Sequence, residues 1–130
     1  MRVLFDTNVL VAAVLSSGCC SEIVEQAVQE HELYTTPFVL AELKKVFHEK
    51  NLHPVAKPLE DFFRFLDQFF ILGQSAGEVE RVCRDPDDDQ LLADAVLNNI
   101  DVLITGDKDL LVLKNHKGVR ISSPGDYWTT

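Results

Sequence analysis

Four acidic residues occupy positions from which carboxylates could meet. Asp6 follows the apolar run Arg2-Val3-Leu4-Phe5, and Glu42 lies within a helical pattern. Asp89 ends Arg84-Asp85-Pro86-Asp87-Asp88-Asp89, and Asp107 lies in Thr105-Gly106-Asp107-Lys108-Asp109. Packed carboxylates repel one another unless a cation sits among them. Mg²⁺ and Mn²⁺ prefer oxygen ligands and keep waters for a substrate phosphate. A convergent set of this kind suits metal-assisted phosphodiester hydrolysis. Each acid also has a plainer use. Asp6 or Asn8 can cap a helix, Asp85 to Asp89 can compensate a helix dipole, and Glu42 can be a solvated border residue.

The elements that must position these acids can be read from apolar spacing. Arg2 to Phe5 reads as a first strand, and Asp6-Thr7-Asn8 as a cap for a helix running from Val9 to Leu15. Ser16-Ser17-Gly18 breaks that helix, and Ser21 can cap a second one bearing Ile23, Val24, Ala27 and Val28. Leu33 to Thr36 is a second strand, and Pro37 opens a helix with the stripe Val39, Leu40, Leu43, Val46 and Phe47. Glu42 falls on the border of that stripe.

Pro54 and Pro58 punctuate the middle. Leu59 to Phe70 reads as a helix crowded with Phe62, Phe63, Phe65, Phe69 and Phe70, and Phe70 to Leu72 as a third strand. Pro86 suits a first helical turn, and Leu91, Leu92, Ala95 and Val96 recur at helical spacing up to Asn98-Asn99. Val102 to Ile104 is a buried strand, Leu110 to Leu113 continues a short helix, and Val119 to Ser122 is a last strand.

Strands alternating with helices predict one domain over residues 1–130, with a central parallel sheet covered on both faces. Ligands of such sheets bind beyond the strand C-termini, where the strand order reverses. Asp6 and Asp107 follow strands, and Asp89 opens the helix that leads into the strand before Asp107. Three acids therefore belong to one sheet edge.

Composition narrows the function classes. With 12 basic and 21 acidic residues the net charge is −9, so no general basic surface advertises nucleic acid. Metal ligands themselves inflate an acidic count. Cys19, Cys20 and Cys83 form no C-x-x-C, and the four histidines show no zinc spacing, which argues against a disulfide framework and against zinc. A reducing cytoplasm fits. Asp6 and Asn8 interrupt what would be the apolar part of a signal peptide, and no run reaches the ~20 residues of a membrane span.

Phe5-Asp6-Thr7-Asn8-Val9-Leu10, Ala41-Glu42-Leu43, Arg84 to Asp89 and Thr105 to Asp109 together resemble a PIN domain. The likeness is strongest to the small prokaryotic members that serve as toxin components, relatives of VapC-type toxins. It covers nearly the whole chain. It implies a three-layer α/β/α fold and an Mg²⁺- or Mn²⁺-dependent endoribonuclease cutting single-stranded RNA to 5′-phosphate and 3′-hydroxyl ends. An acid, Asp89 or Asp107 through water, would activate the attacking water.

By that resemblance Asp6, Glu42, Asp89 and Asp107 are the catalytic and metal-binding acids. Thr7, Asn8, Thr105 and Asp109 support them, and Asp87 and Asp88 stand in reserve. The resemblance and the phenylalanine cluster also imply an antitoxin protein and a homodimer. A catalytically silent PIN scaffold binding RNA or protein is the main rival. A phospho-receiver would need paired acids after the first strand and a Lys after the last, where Ser122-Ser123-Pro124 stands. A haloacid-dehalogenase-type phosphatase would need Asp at position 8, which is Asn.

Overall fold

The computed structural model describes residues 1–15, 19–49 and 56–129. The break expected at Ser16-Ser17-Gly18 and the punctuation at Pro54 lie outside them. Six strands form one sheet: β1 (Arg2–Phe5), β2 (Glu32–Thr35), β3 (Ile71–Leu72), β4 (Val102–Ile104), β5 (Asn115–His116) and β6 (Val119–Ser122). Their order is β3-β2-β1-β4-β6-β5, parallel except for the antiparallel β5–β6 pair. The helices are α1 (Thr7–Leu15), α2 (Cys19–Glu30), α3 (Pro37–Glu49), α4 (Ala56–Phe69), α5 (Pro86–Leu97), α6 (Lys108–Leu111) and α7 (Pro124–Thr129).

Burial explains the sheet. Val3, Leu4 and Phe5 of β1 and Val102, Leu103 and Ile104 of β4 are all buried, as central parallel strands covered on both faces require. Leu43 and Val39 of α3, Leu91, Leu92 and Ala95 of α5, and Val9 and Leu10 of α1 close over it. The chain moves outward from β1 through β2 to β3, then returns to β4 on the other side of β1. Order therefore reverses between β1 and β4, whose registered ends are Phe5 and Ile104. The next residues, Asp6 and Thr105, stand at the switch point.

Several elements differ from expectation at their ends. Helix α1 begins at Thr7, two residues before the expected Val9, α2 begins at Cys19, two residues before its expected cap Ser21, and α4 begins at Ala56. The hairpin strand β5 and the helix α7 were not expected. Asn115-His116 lacks an apolar pattern, and its hairpin is made by left-handed Lys117 (φ 49°) and Gly118 (φ 87°). Phe70 is buried against Phe5, whereas Phe69 is 47% exposed. Among the described residues, no helix is long and apolar enough to cross a membrane.

Candidate metal centre

Beyond the ends of β1 and β4 lies a cleft of about 120 Å³ lined by Asp6, Glu42, Asp85, Asp87, Asp88 and Asp107, with Thr7, Asn8, Phe38, Val46 and Leu91. Each acid arrives on a different support. Asp6 leaves β1 as α1 starts, its backbone N–H donating to the Ile104 carbonyl of β4 (2.8 Å). Asp107 caps α6, where its carboxylate accepts the Asp109 N–H (2.8 Å). Asp85 caps α5 by accepting the Asp87 N–H (2.9 Å), and Pro86 sets the first turn. Glu42 comes from α3 and is half-buried.

Thr105 joins two of the acids. Its buried hydroxyl donates to Asp6 Oδ2 (2.6 Å) and accepts the Asp107 backbone N–H (3.0 Å). The strand-to-helix turn after β4 is thereby tied to the turn after β1. Asp109 follows on α6 and receives a bidentate guanidinium from Arg84, with Nη2 at 2.9 Å from Oδ1 and 3.0 Å from Oδ2.

The structure separates two neighbours that sequence reasoning could not. Asp89, expected in the site, turns away from it. Its Oδ1 accepts the N–H groups of Val82 (2.9 Å) and Cys83 (2.7 Å), and its side chain borders a different hollow with Glu80 and His116. Asp88 faces the cleft instead. One oxygen each of Asp88, Asp107 and Asp109 lie within 4.8 Å of one another, and Asp88 Oδ2 is buried without a hydrogen-bond partner. A sequence signal for Asp88 existed. It stands three, four and seven residues before Leu91, Leu92 and Ala95, so it extends the buried stripe of α5.

The electrostatics follow from this placement. Burial, then the charges of Asp107 and Asp85, push the Asp88 carboxyl up to about 7. Burial raises Asp6 as well, against the opposing pull of the Thr105 hydroxyl and the Thr7 and Asn8 backbone N–H groups. Glu42 is raised by burial and then by Asp87. Asp89 moves the other way, held below the usual carboxylate range by the Cys83 and Val82 N–H donors.

These residues fit a divalent cation. The donors are all hard carboxylate oxygens, one of them buried and unpartnered, and among the described residues no Cys or His lines the cleft. Asp88, Asp107 and Asp109 have the spacing to share one ion, with Asp6 beside them.

The fold and its acids define a class: an α/β/α domain with a carboxylate cleft at the switch point of a mostly parallel sheet. The sequence pattern of the PIN domain matches residues 2–109, and the chain belongs to that family. The fold is similar to a chain in the crystal structure of VapBC2 from Rickettsia felis bound to a DNA fragment from their promoter. That likeness has a TM-score of 0.70, covers 95% of this chain and 98% of the other, and comes with 16% identity. At that identity it is a likeness of fold. No curated protein matches the chain by sequence.

Proposed function

We propose that this protein is a single-domain, cytoplasmic endoribonuclease that uses Mg²⁺ or Mn²⁺ to cleave single-stranded RNA. The observation that carries the reading is the Asp88–Asp107–Asp109 cluster with its unpartnered Asp88 oxygen, beside Asp6 and at the sheet's switch point. Asp88, Asp107 and Asp109 hold the ion. A bound ion supplies Lewis acidity at a phosphoryl oxygen and acidifies water.

The chain's own residues do the rest. Thr105 fixes Asp6 and, through the Asp107 backbone, the turn that carries the cluster. Glu42 lines the cleft from α3, and its raised affinity for a proton suits acceptance of one from the attacking water. In-line attack of that water on phosphorus breaks the P–O3′ bond, leaving a 5′-phosphate and a 3′-hydroxyl. Asp89 has no part in the chemistry; it orders residues 82 and 83 ahead of α5.

Labelled single-stranded RNA incubated with the pure protein in Mn²⁺, Mg²⁺, Zn²⁺ or EDTA tests this. Cleavage in Mn²⁺ or Mg²⁺ and none in EDTA is expected. Activity that survives chelation or needs Zn²⁺ alone would refute it, and RNA binding without cleavage would make the protein a silent scaffold.

The similar fold in a VapBC2 complex, together with exposed Phe69, Ile71 and Leu72, supports a further part of the reading: an antitoxin protein as partner, and a homodimer. Expression without the partner should then slow growth. A monomer by light scattering with no growth defect contradicts both.

A further inference from the structure

Arg84 is a cation set against an anionic cluster in a chain of net charge −9. Its guanidinium grips both oxygens of Asp109, at 2.9 and 3.0 Å through Nη2, with Nε at 3.3 Å from Oδ2. Among the described residues this is the ion pair formed by a carboxylate of the Asp88–Asp107–Asp109 cluster. The Arg84 side chain is 87% exposed and Asp109 36%. It stands on the irregular segment between β3 and α5, directly before the Asp85 cap.

An ion pair this exposed does little for stability, because water solvates both partners nearly as well when they part. Nothing in the packing of Arg84 explains why a guanidinium should sit there. Its fork fits a phosphate as well as a carboxylate, and exposure leaves it free to change partner. Asp109, meanwhile, has both oxygens engaged while it also belongs to the cluster suited to a cation.

Resting on the nuclease reading above, we propose that Arg84 is the phosphate-holding residue of this site, and that its pairing with Asp109 is the resting half of an exchange. Without a cation, Arg84 neutralises Asp109. Once a cation carries the charge of Asp109, Arg84 is released to a phosphate of the RNA backbone at the mouth of the cleft. The competition has two consequences. Arg84 weakens cation binding in the absence of RNA, and it tightens RNA binding in the presence of the cation.

Two readouts on the full-length protein test this, with wild type, Arg84→Ala and Arg84→Lys. The first is Mn²⁺ affinity by titration calorimetry without RNA, and Arg84→Ala should bind Mn²⁺ about 3- to 10-fold more tightly because Asp109 is unpaired. The second is steady-state cleavage in saturating Mn²⁺. There Arg84→Ala should raise KM about 5-fold or more with kcat within about 2-fold, and Arg84→Lys should recover part of KM.

An unchanged or weaker Mn²⁺ affinity in Arg84→Ala overturns the exchange, and an unchanged KM overturns the phosphate role. A wild type that binds Mn²⁺ but cuts no RNA refutes the nuclease reading and the phosphate role with it, while the calorimetry still decides the Asp109 half. Thermal melts of the variants close to wild type are expected from the exposure of Arg84. A large loss of stability in Arg84→Lys as well as Arg84→Ala would make the residue structural and overturn the proposal.

Discussion

The acids of helix α5 are placed on two opposite principles. Asp89 accepts the Val82 and Cys83 N–H groups. One turn on, fully buried Asp94 accepts the Ala76 N–H (2.6 Å), the Gln90 amide (2.9 Å) and the Thr36 hydroxyl (3.2 Å). Asp88, by contrast, buries an oxygen with no donor, near Asp107 and Asp85. Buried carboxylates supplied with donors are scaffold. Buried carboxylates denied donors and pressed against like charges are the ones a cation would complete. The difference lies in the donors offered by surrounding backbone, since the residue type is the same.

The comparison breaks most visibly in activity. Asp88→Asn or Asp107→Asn should lower Mn²⁺-dependent RNA cleavage by about a thousandfold or more, since each removes a ligand charge. Asp89→Asn, whose amide oxygen can still accept both N–H groups, should keep cleavage within a few-fold. Glu42→Gln should likewise abolish cleavage while leaving the melting temperature unchanged. A fully active, well-folded Glu42→Gln would return that residue to the role of a solvated border.

Stability sharpens it next. Asp94→Ala strands three donors and should destabilise the protein by about 2–4 kcal/mol, as read by denaturant unfolding. Asp6→Asn should do the reverse in the metal-free protein. It relieves repulsion and burial cost while keeping an acceptor for Thr105, so it should melt above wild type in chelator yet lose activity.

pH gives a smaller effect, with opposite signs for Asp88 and Asp89. The folded-state pKa of Asp88 lies near 7, above the ordinary 3.8, so the folded protein binds the extra proton between those values. Metal-free stability should therefore fall as pH rises from about 4 through 7, and added Mn²⁺ should cancel the fall. The pKa of Asp89 is depressed, so its contribution is present above the ordinary 3.8 and is lost only as pH drops below it. Melting temperature in chelator, scanned from pH 3 to 8, should peak between the two. A flat profile above pH 4 would remove the strain assigned to Asp88.

Much of this was legible in the sequence. Apolar runs followed by Asp6 and by Thr105-Gly106-Asp107 placed two acids, Asp6 and Asp107, just past strand ends, and alternation with helices made the sheet parallel, so the switch-point edge followed. Pro86 and Asp85 marked the start of α5. The choice between Asp88 and Asp89 was not legible from capping chemistry, because adjacent helical residues point about 100° apart and either could face a cleft. The segment from Gly73 to Cys83 supplies the backbone donors that Asp94 and Asp89 accept, from Ala76 and from Val82 and Cys83. Gly73 sits so close to Asn98 that a Cβ there would collide with its side-chain amide. The role of Asp94 is hidden in the sequence because two of its three partners, Thr36 and Ala76, are 58 and 18 residues away.

The central claim is that α5 turns Asp88, and not Asp89, into the carboxylate cleft proposed to hold the cation. Thermal melts of wild type, Asp88→Asn and Asp89→Asn in EDTA and in Mn²⁺ test it most directly. The account predicts that Asp88→Asn melts above wild type in EDTA and loses most of the Mn²⁺-induced rise, whereas Asp89→Asn keeps that rise. An Asp88→Asn protein that melts at or below wild type in EDTA and retains the full Mn²⁺ shift, with the shift lost in Asp89→Asn instead, would contradict it.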